Sequence, residues 1–217
     1  MGEWWTYSPE DFLMFSPRAY WRMFALANGA FWPLPLAGPA LALAAGLLCL
    51  RAGGKRFALA MLAVLWAFVG WAFLWNRYAV INWAVFYIAP LFALQAMLLA
   101  LAASGPAAPH PPAPRRVVGG VLVALAAAYP LFAPLAGRPL SEAEVFGSAP
   151  DPSAIGTLGV LLLAGGRAVL WPVPVLWCLF SAATLWTLGT AQSALPFAAA
   201  VAALAAALFR RGGPARS

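Results

Sequence analysis

The chain has 217 residues, of which 64% are hydrophobic and 9% charged, with a mean hydropathy of +0.84. Soluble domains average about 45–50% apolar and about 25% charged, so a soluble globular domain is excluded. Intrinsic disorder, which needs low hydrophobicity and high charge, is excluded with it. The net charge of +7 comes from basic residues in short runs at the ends of apolar segments, which signals membrane topology and not a nucleic-acid surface.

The scarcity of reactive side chains narrows the chemistry. There is one histidine, His110, in a Pro/Ala-rich stretch, and the two cysteines, Cys49 and Cys178, sit far apart in apolar runs. A structural zinc site needs about four Cys/His ligands, so no metal site is expected, nor any cofactor or catalytic set.

Residues 1–29 form the first unit. Trp4, Trp5 and Tyr7 stand where a secretory signal would carry basic and apolar regions. Ser8-Pro9-Glu10-Asp11 has the composition of a helix start. The stretch beyond it mixes Arg18 and Arg22 with Phe12, Phe15, Trp21 and Phe24, too polar to span. It is expected to lie as an amphipathic helical segment in the external headgroup layer, with those aromatics facing the acyl chains.

A spanning helix needs about 20 apolar residues. Seven apolar stretches follow, near 30–50, 57–75, 81–103, 117–136, 155–171, 173–189 and 194–209, and 210–217 is a basic tail. The expected fold is therefore all-α: a polytopic transmembrane bundle of about seven spans over 30–209, or six plus a re-entrant fifth segment. Arg51, Lys55, Arg56, Arg115, Arg116, Arg167, Arg210, Arg211 and Arg216 fall on one side with no acid, while all six acids fall on the other. By the positive-inside rule the N-terminus is then periplasmic and the C-terminus cytoplasmic.

In the external loop near 137–154, Ser141-Glu142-Ala143-Glu144 reads as the capping box of a short surface helix. Asp151 reads as part of the cap and first turn of the fifth span. Asn76, Asn82, Gln95, Ser181 and Thr184 are the candidates for a small polar cavity. Prolines interrupt four spans at Pro33, Pro35, Pro39, Pro90, Pro130, Pro134, Pro172 and Pro174, as in the broken helices that line transporter sites.

Glu3-Trp4-Trp5-Thr6-Tyr7-Ser8, running into Asp11-Phe12-Leu13-Met14-Phe15-Ser16-Pro17-Arg18, resembles the opening of an uncharacterised bacterial membrane-protein family known only as a domain of unknown function. Ile81-Asn82-Trp83-Ala84, Ala93-Leu94-Gln95-Ala96 and the stretch from Ala149-Pro150-Asp151 to Gly159 are similar to further parts of it. The resemblance implies a bacterial inner-membrane location and supplies no catalytic or ligand residues.

These features favour one function, with a second as the alternative. The favoured one is a non-catalytic accessory or scaffolding subunit in the lipid membrane, part of a larger membrane complex that docks through Trp4, Trp5 and Trp21. The alternative is a transporter or channel for a small solute or lipophile, built from Pro-interrupted helices around Gln95.

Overall fold

The first helix begins where the sequence supplies a cap. The Ser16 hydroxyl accepts from the Ala19 backbone N–H at 3.2 Å, and Pro17 takes a first-turn position that needs no N–H. The computed structural model describes residues 15–106 and 111–208. The Ser8-Pro9 start expected from the sequence lies outside them, with Trp4, Trp5, His110 and the 210–217 tail.

Helix α1 (Pro17–Ala30) turns Tyr20, Met23, Phe24 and Ala27 inward, one stripe at helical spacing. Phe24 therefore faces protein and not acyl chains, which corrects the expectation for this ring. It is 1% exposed and stacks on Phe73 with centroids 4.7 Å apart. Phe15 likewise packs on Tyr20 and Tyr78. After a turn over residues 31–33, α2 (Leu34–Leu50) leaves at 94° to α1.

Helix α3 (Gly54–Ile81) is the longest, and its middle passes into a ten-residue π-helix, Val69–Tyr78. The Asn76 side-chain amide donates to the Trp71 carbonyl at 2.7 Å across this wider turn. Gly70 admits α4 (Val85–Ser104) closely, since a Cβ there would lie 2.9 Å from the Phe92 Cβ. Then come α5 (Ala113–Leu135), tightened to a 3₁₀ turn at Tyr129–Leu131 where Pro130 removes a donor, and α6 (Pro150–Ala164). Two more helices, α7 (Pro172–Thr187) and α8 (Ala194–Leu208), complete the all-α fold, and the described residues contain no strand.

Helices α3, α4 and α5 are long and apolar enough to cross a membrane, as are α7 and α8 with their preceding single turns; α1 and α2 together make a sixth such unit, bent. The fifth apolar segment, expected over 155–171, is shorter. It stops at Ala164, where Gly165 adopts φ +75° and the Gly166 N–H returns to the Leu161 carbonyl at 2.8 Å. Residues 168–170 form a turn that belongs to α7 instead.

All 15 residues of α6 are buried. Its sequence is apolar or small on every side, as suits a helix enclosed by others. Facing glycines bring α5 against it: a Cβ on Gly159 would lie 2.8 Å from the Gly119 carbonyl oxygen, and one on Gly119 would meet the Gly159 oxygen at the same distance. The hydroxyls on α6 are satisfied without water. Ser153 donates to the Ala149 carbonyl at 2.6 Å and accepts from the Gly147 N–H at 2.8 Å. Thr157 donates to the Ser153 carbonyl at 2.7 Å and accepts from the Trp66 indole at 2.8 Å. Trp66 then packs on Phe92, and Phe92 on Trp177, with centroids 4.4 and 5.1 Å apart. This aromatic column ties α3, α4 and α7 around α6.

The glycine contact is testable by adding a single methyl. Gly159→Ala puts a Cβ into backbone that cannot retreat and should destabilise the bundle by about 1–3 kcal/mol, the usual range for overpacking. Gly120→Ala, one residue from Gly119 but with nothing within 4 Å of the new Cβ, should be neutral or slightly stabilising. Thermal unfolding of the two variants in detergent compares them directly.

Candidate functional site

The loop between α5 and α6 is exposed at Ser141 but buried continuously from Ala143 to Ala149. Irregular backbone inside a bundle needs partners for its polar groups. The Asn28 amide of α1 supplies two, donating to the carbonyls of Ser141 and Ala143, each at 2.8 Å. Gly38 of α2 leaves room for the other side of the loop, since a Cβ there would lie 2.7 Å from the Phe146 carbonyl oxygen. Held between α1 and α2, the loop carries Glu144 into the interior, beside Asp151 in the first turn of α6.

This corrects the capping expectation. The only helix in the loop is a single 3₁₀ turn, Leu140–Glu142, with no side-chain cap, and Glu144 lies beyond it. Asp151 is a first-turn residue as expected, but it caps nothing. Its carboxylate is wholly buried and accepts from the Trp177 indole at 2.8 Å and from the Ser181 hydroxyl at 2.5 Å, both on α7. One turn separates Trp177 from Ser181, so α7 presents both donors on one face.

Glu144 is 2% exposed. One carboxyl oxygen accepts a short hydrogen bond from the Gln192 amide, while the other has no donor. Burial pushes the Glu144 carboxyl well above the usual carboxylate range, and the neighbouring Asp151 adds to the effect; Arg138 and Gln192 pull partly the other way. Glu144 thus keeps its proton at pH values where an exposed glutamate has lost it. The buried Tyr129 hydroxyl approaches the Asp151 carboxylate without a well-formed hydrogen bond.

A polar chain leads from this pair to the edge of the bundle. The Gln192 side-chain oxygen accepts from the Arg138 guanidinium at 2.6 Å, and Arg138 also donates to the Glu142 carbonyl at 3.2 Å. The guanidinium lies over the Trp21 ring, 3.4 Å from its centroid. Four stretches of chain thus converge: α1, the α5–α6 loop with the start of α6, α7, and the α7–α8 turn. Among the described residues no three His, Cys, Asp or Glu side chains gather as metal ligands.

The sequence-derived candidates divide. Ser181 binds Asp151, while Thr184 and Asn82 neighbour the buried Tyr78 hydroxyl close by. Asn82 also accepts from the Ala84 N–H at 3.1 Å. Asn76 serves the π-helix, and Gln95 donates to the Leu170 carbonyl at 3.0 Å, towards the opposite end of the bundle. The five residues do not line one cavity. Trp21 is half-buried beneath Arg138, so its ring is partly committed within the chain.

Glu144, Asp151, Trp177, Gln192 and Arg138 are the site residues that sequence reasoning passed over. A signal was present for Asp151. An acid placed at the start of a segment apolar on all faces has no solvated side to turn to, and Trp177 with Ser181 is a polar pair at helical spacing.

A carboxyl whose folded-state pKa is raised contributes stability fully below its ordinary value of 4.5, and loses it as pH rises towards the folded-state value. The melting temperature of the protein should therefore fall as pH is raised from about 4.5 to 8. Glu144→Gln, which removes the titrating group but keeps its shape, should flatten that fall. An unchanged slope in the variant would assign the pH dependence elsewhere.

The model of the family DUF6064, a family of unknown function, matches residues 17–214. No curated protein and no solved structure matches the chain. Covering nearly the whole sequence, the match assigns the chain to DUF6064.

Proposed function

We propose that this protein is a non-catalytic, multi-pass protein of the bacterial inner membrane that moves a small solute or lipophile, with the Glu144–Asp151 pair as its proton-binding site. The observation that carries this reading is the pair itself: two carboxyls side by side, wholly enclosed, with one oxygen lacking a donor. Buried ionisable groups in membrane bundles are costly and typically mark proton or ion pathways. The Trp21–Arg138–Gln192 chain is the proposed route between the pair and the edge of the bundle. The site replaces Gln95 as the centre of the transport reading.

The membrane setting is supported by the wide apolar perimeter, including the exposed Leu36, Leu47, Val64, Val121 and Leu208. The count of seven spans takes α2 to α8 as one span each, α6 being the short enclosed one, with α1 lying across the external end. Arg51, Lys55, Arg56, Arg115, Arg116 and Arg167 all belong to the end away from the carboxyl pair, so the positive-inside rule puts that end in the cytoplasm.

An accessory or scaffolding role is the second reading. Trp32, Trp83 and Tyr87, exposed at 65%, 59% and 75%, favour it, because such rings anchor partners as well as lipids. In that case Trp4, Trp5 and Trp21 are the docking set within a larger membrane complex.

Proteoliposomes loaded with a pH-sensitive dye separate the two. Challenged with a panel of amino acids, sugars, carboxylates and amphiphilic amines, the protein should change lumenal pH with at least one class, and Glu144→Gln and Asp151→Asn should abolish the response. Co-purification of a stable partner, with no response to any class, would favour the accessory role. For orientation, a phosphatase active only in the periplasm and fused after Ser217 should be inactive; strong activity there would mean an even number of spans.

A further inference from the structure

The end of the bundle opposite the carboxyl pair holds a concentration of positive charge around a cavity of about 350 Å³. Arg51, Lys55, Arg56 and Arg167 line it, with Gly105 and Gly165 in its walls, and no acid is among its described lining residues. The volume lies at the small end of the ordinary ligand-site range. Three separate segments bring these cations together: the α2–α3 turn, the first turn of α3 and the turn after α6.

The turns are built to allow the convergence. Gly53 at φ +71° and Gly165 at φ +75° take left-handed conformations that reverse the chain beside the cavity. Gly105 permits the approach of Arg167, since a Cβ on it would lie 3.1 Å from the Arg167 Nη2. Arg51, Arg56 and Arg167 are exposed, whereas Lys55 is 9% exposed.

Helix dipoles account for only part of this charge. Helices α2, α4 and α6 end here, each carrying roughly half a negative charge, while α3 and the turn leading into α7 begin here with roughly half a positive one each. Together they set roughly half a negative charge against the three exposed arginines. The nearest described acids, Glu144 and Asp151, stand at the far end of α6. At 1.5 Å per residue that is about 20 Å away, beyond the screening length of about 8 Å in physiological salt. Like charges held around one concavity repel unless an anion enters, and the planar fork of a guanidinium can donate to two oxygens of one phosphate.

We propose that this cavity binds a phosphate-bearing ligand, either the headgroup of an anionic phospholipid or a soluble phosphate. Arg51 from the α2–α3 turn and Arg167 from the turn after α6 bind the phosphate together, and Arg56 from the first turn of α3 adds to the charge around it. The binding is independent of the proton site, and the membrane reading bears only on the lipid source.

Full-length protein in a neutral detergent, titrated with phosphatidylglycerol, phosphatidylcholine, inorganic phosphate and glycerol 3-phosphate, tests this by native mass spectrometry and thermal shift. Phosphatidylglycerol is expected to bind and stabilise, with affinity at least tenfold weaker in Arg51→Gln/Arg167→Gln and several-fold weaker in Arg56→Gln. Arg116→Gln, which removes a cation from the same end but outside this cavity, should leave binding unchanged. Binding of the soluble phosphates with the same loss in the variants identifies a soluble ligand instead and equally supports the site. Binding of neither class, retention in the double variant, or equal weakening by Arg116→Gln would overturn the assignment.

Discussion

Enclosing α6 on all sides places two demands on the rest of the chain. Its 15 residues rise only about 22 Å, and both helix ends must find partners within protein, because an orphaned backbone group away from water is costly. The buried loop that follows α5 closes one end and the Gly165–Gly166 turn closes the other. Neither closure works unless α5 can come within backbone contact, which the Gly119–Gly159 crossing permits. The bend between α1 and α2 follows from the same need, since α1 must cross the open end to bring Asn28 over the loop.

Electrostatics along the enclosed helix are polarised in a consistent sense. The carboxyl pair lies at its amino end and the arginines at its carboxyl end, so each group complements the nearer pole of the helix dipole. The same logic recurs at the edge of the bundle, where Arg115 at the start of α5 donates to the Ala206 carbonyl at 3.3 Å and to that of Ala207, satisfying the last turn of α8. Charge at this end has two roles: some cations close helix termini, and others surround open space.

Much of the fold was legible because it is dictated locally. Apolar length marked most of the helices and basic runs marked one side of the bundle, whereas the end of α6 at Gly165 was overrun because the apolar pattern resumes beyond it. The site was not legible in the same way. Asp151 finds its donors 26 and 30 residues away, and Glu144 finds Gln192 48 residues away, whereas the S-x-x-E spacing offered Glu144 a local use and the start of the fifth span offered one to Asp151. A short-range pattern concealed a long-range pairing. The converse holds for Gln95 and Asn76, polar residues in apolar segments whose hydrogen bonds run to backbone carbonyls at separate places.

The π-helical stretch of α3 has a consequence for how this chain tolerates change in length. Its hydrogen bonds span one residue more than those of an α-helix, so the stretch winds more slowly and hands Tyr78 to a face that an α-helical path would have passed. Removing one residue between Val69 and Tyr78 is taken up as the wide turn relaxes to α-helix, with little rotation of the segments on either side, whereas the same deletion in the α-helical part turns everything before it by about 100° relative to everything after it. In the second case Trp66 could not keep its bond to Thr157 while Phe73 stays stacked on Phe24. The π-helical stretch is thus the one part of the longest helix where a residue can be lost while the segments before and after it keep their neighbours.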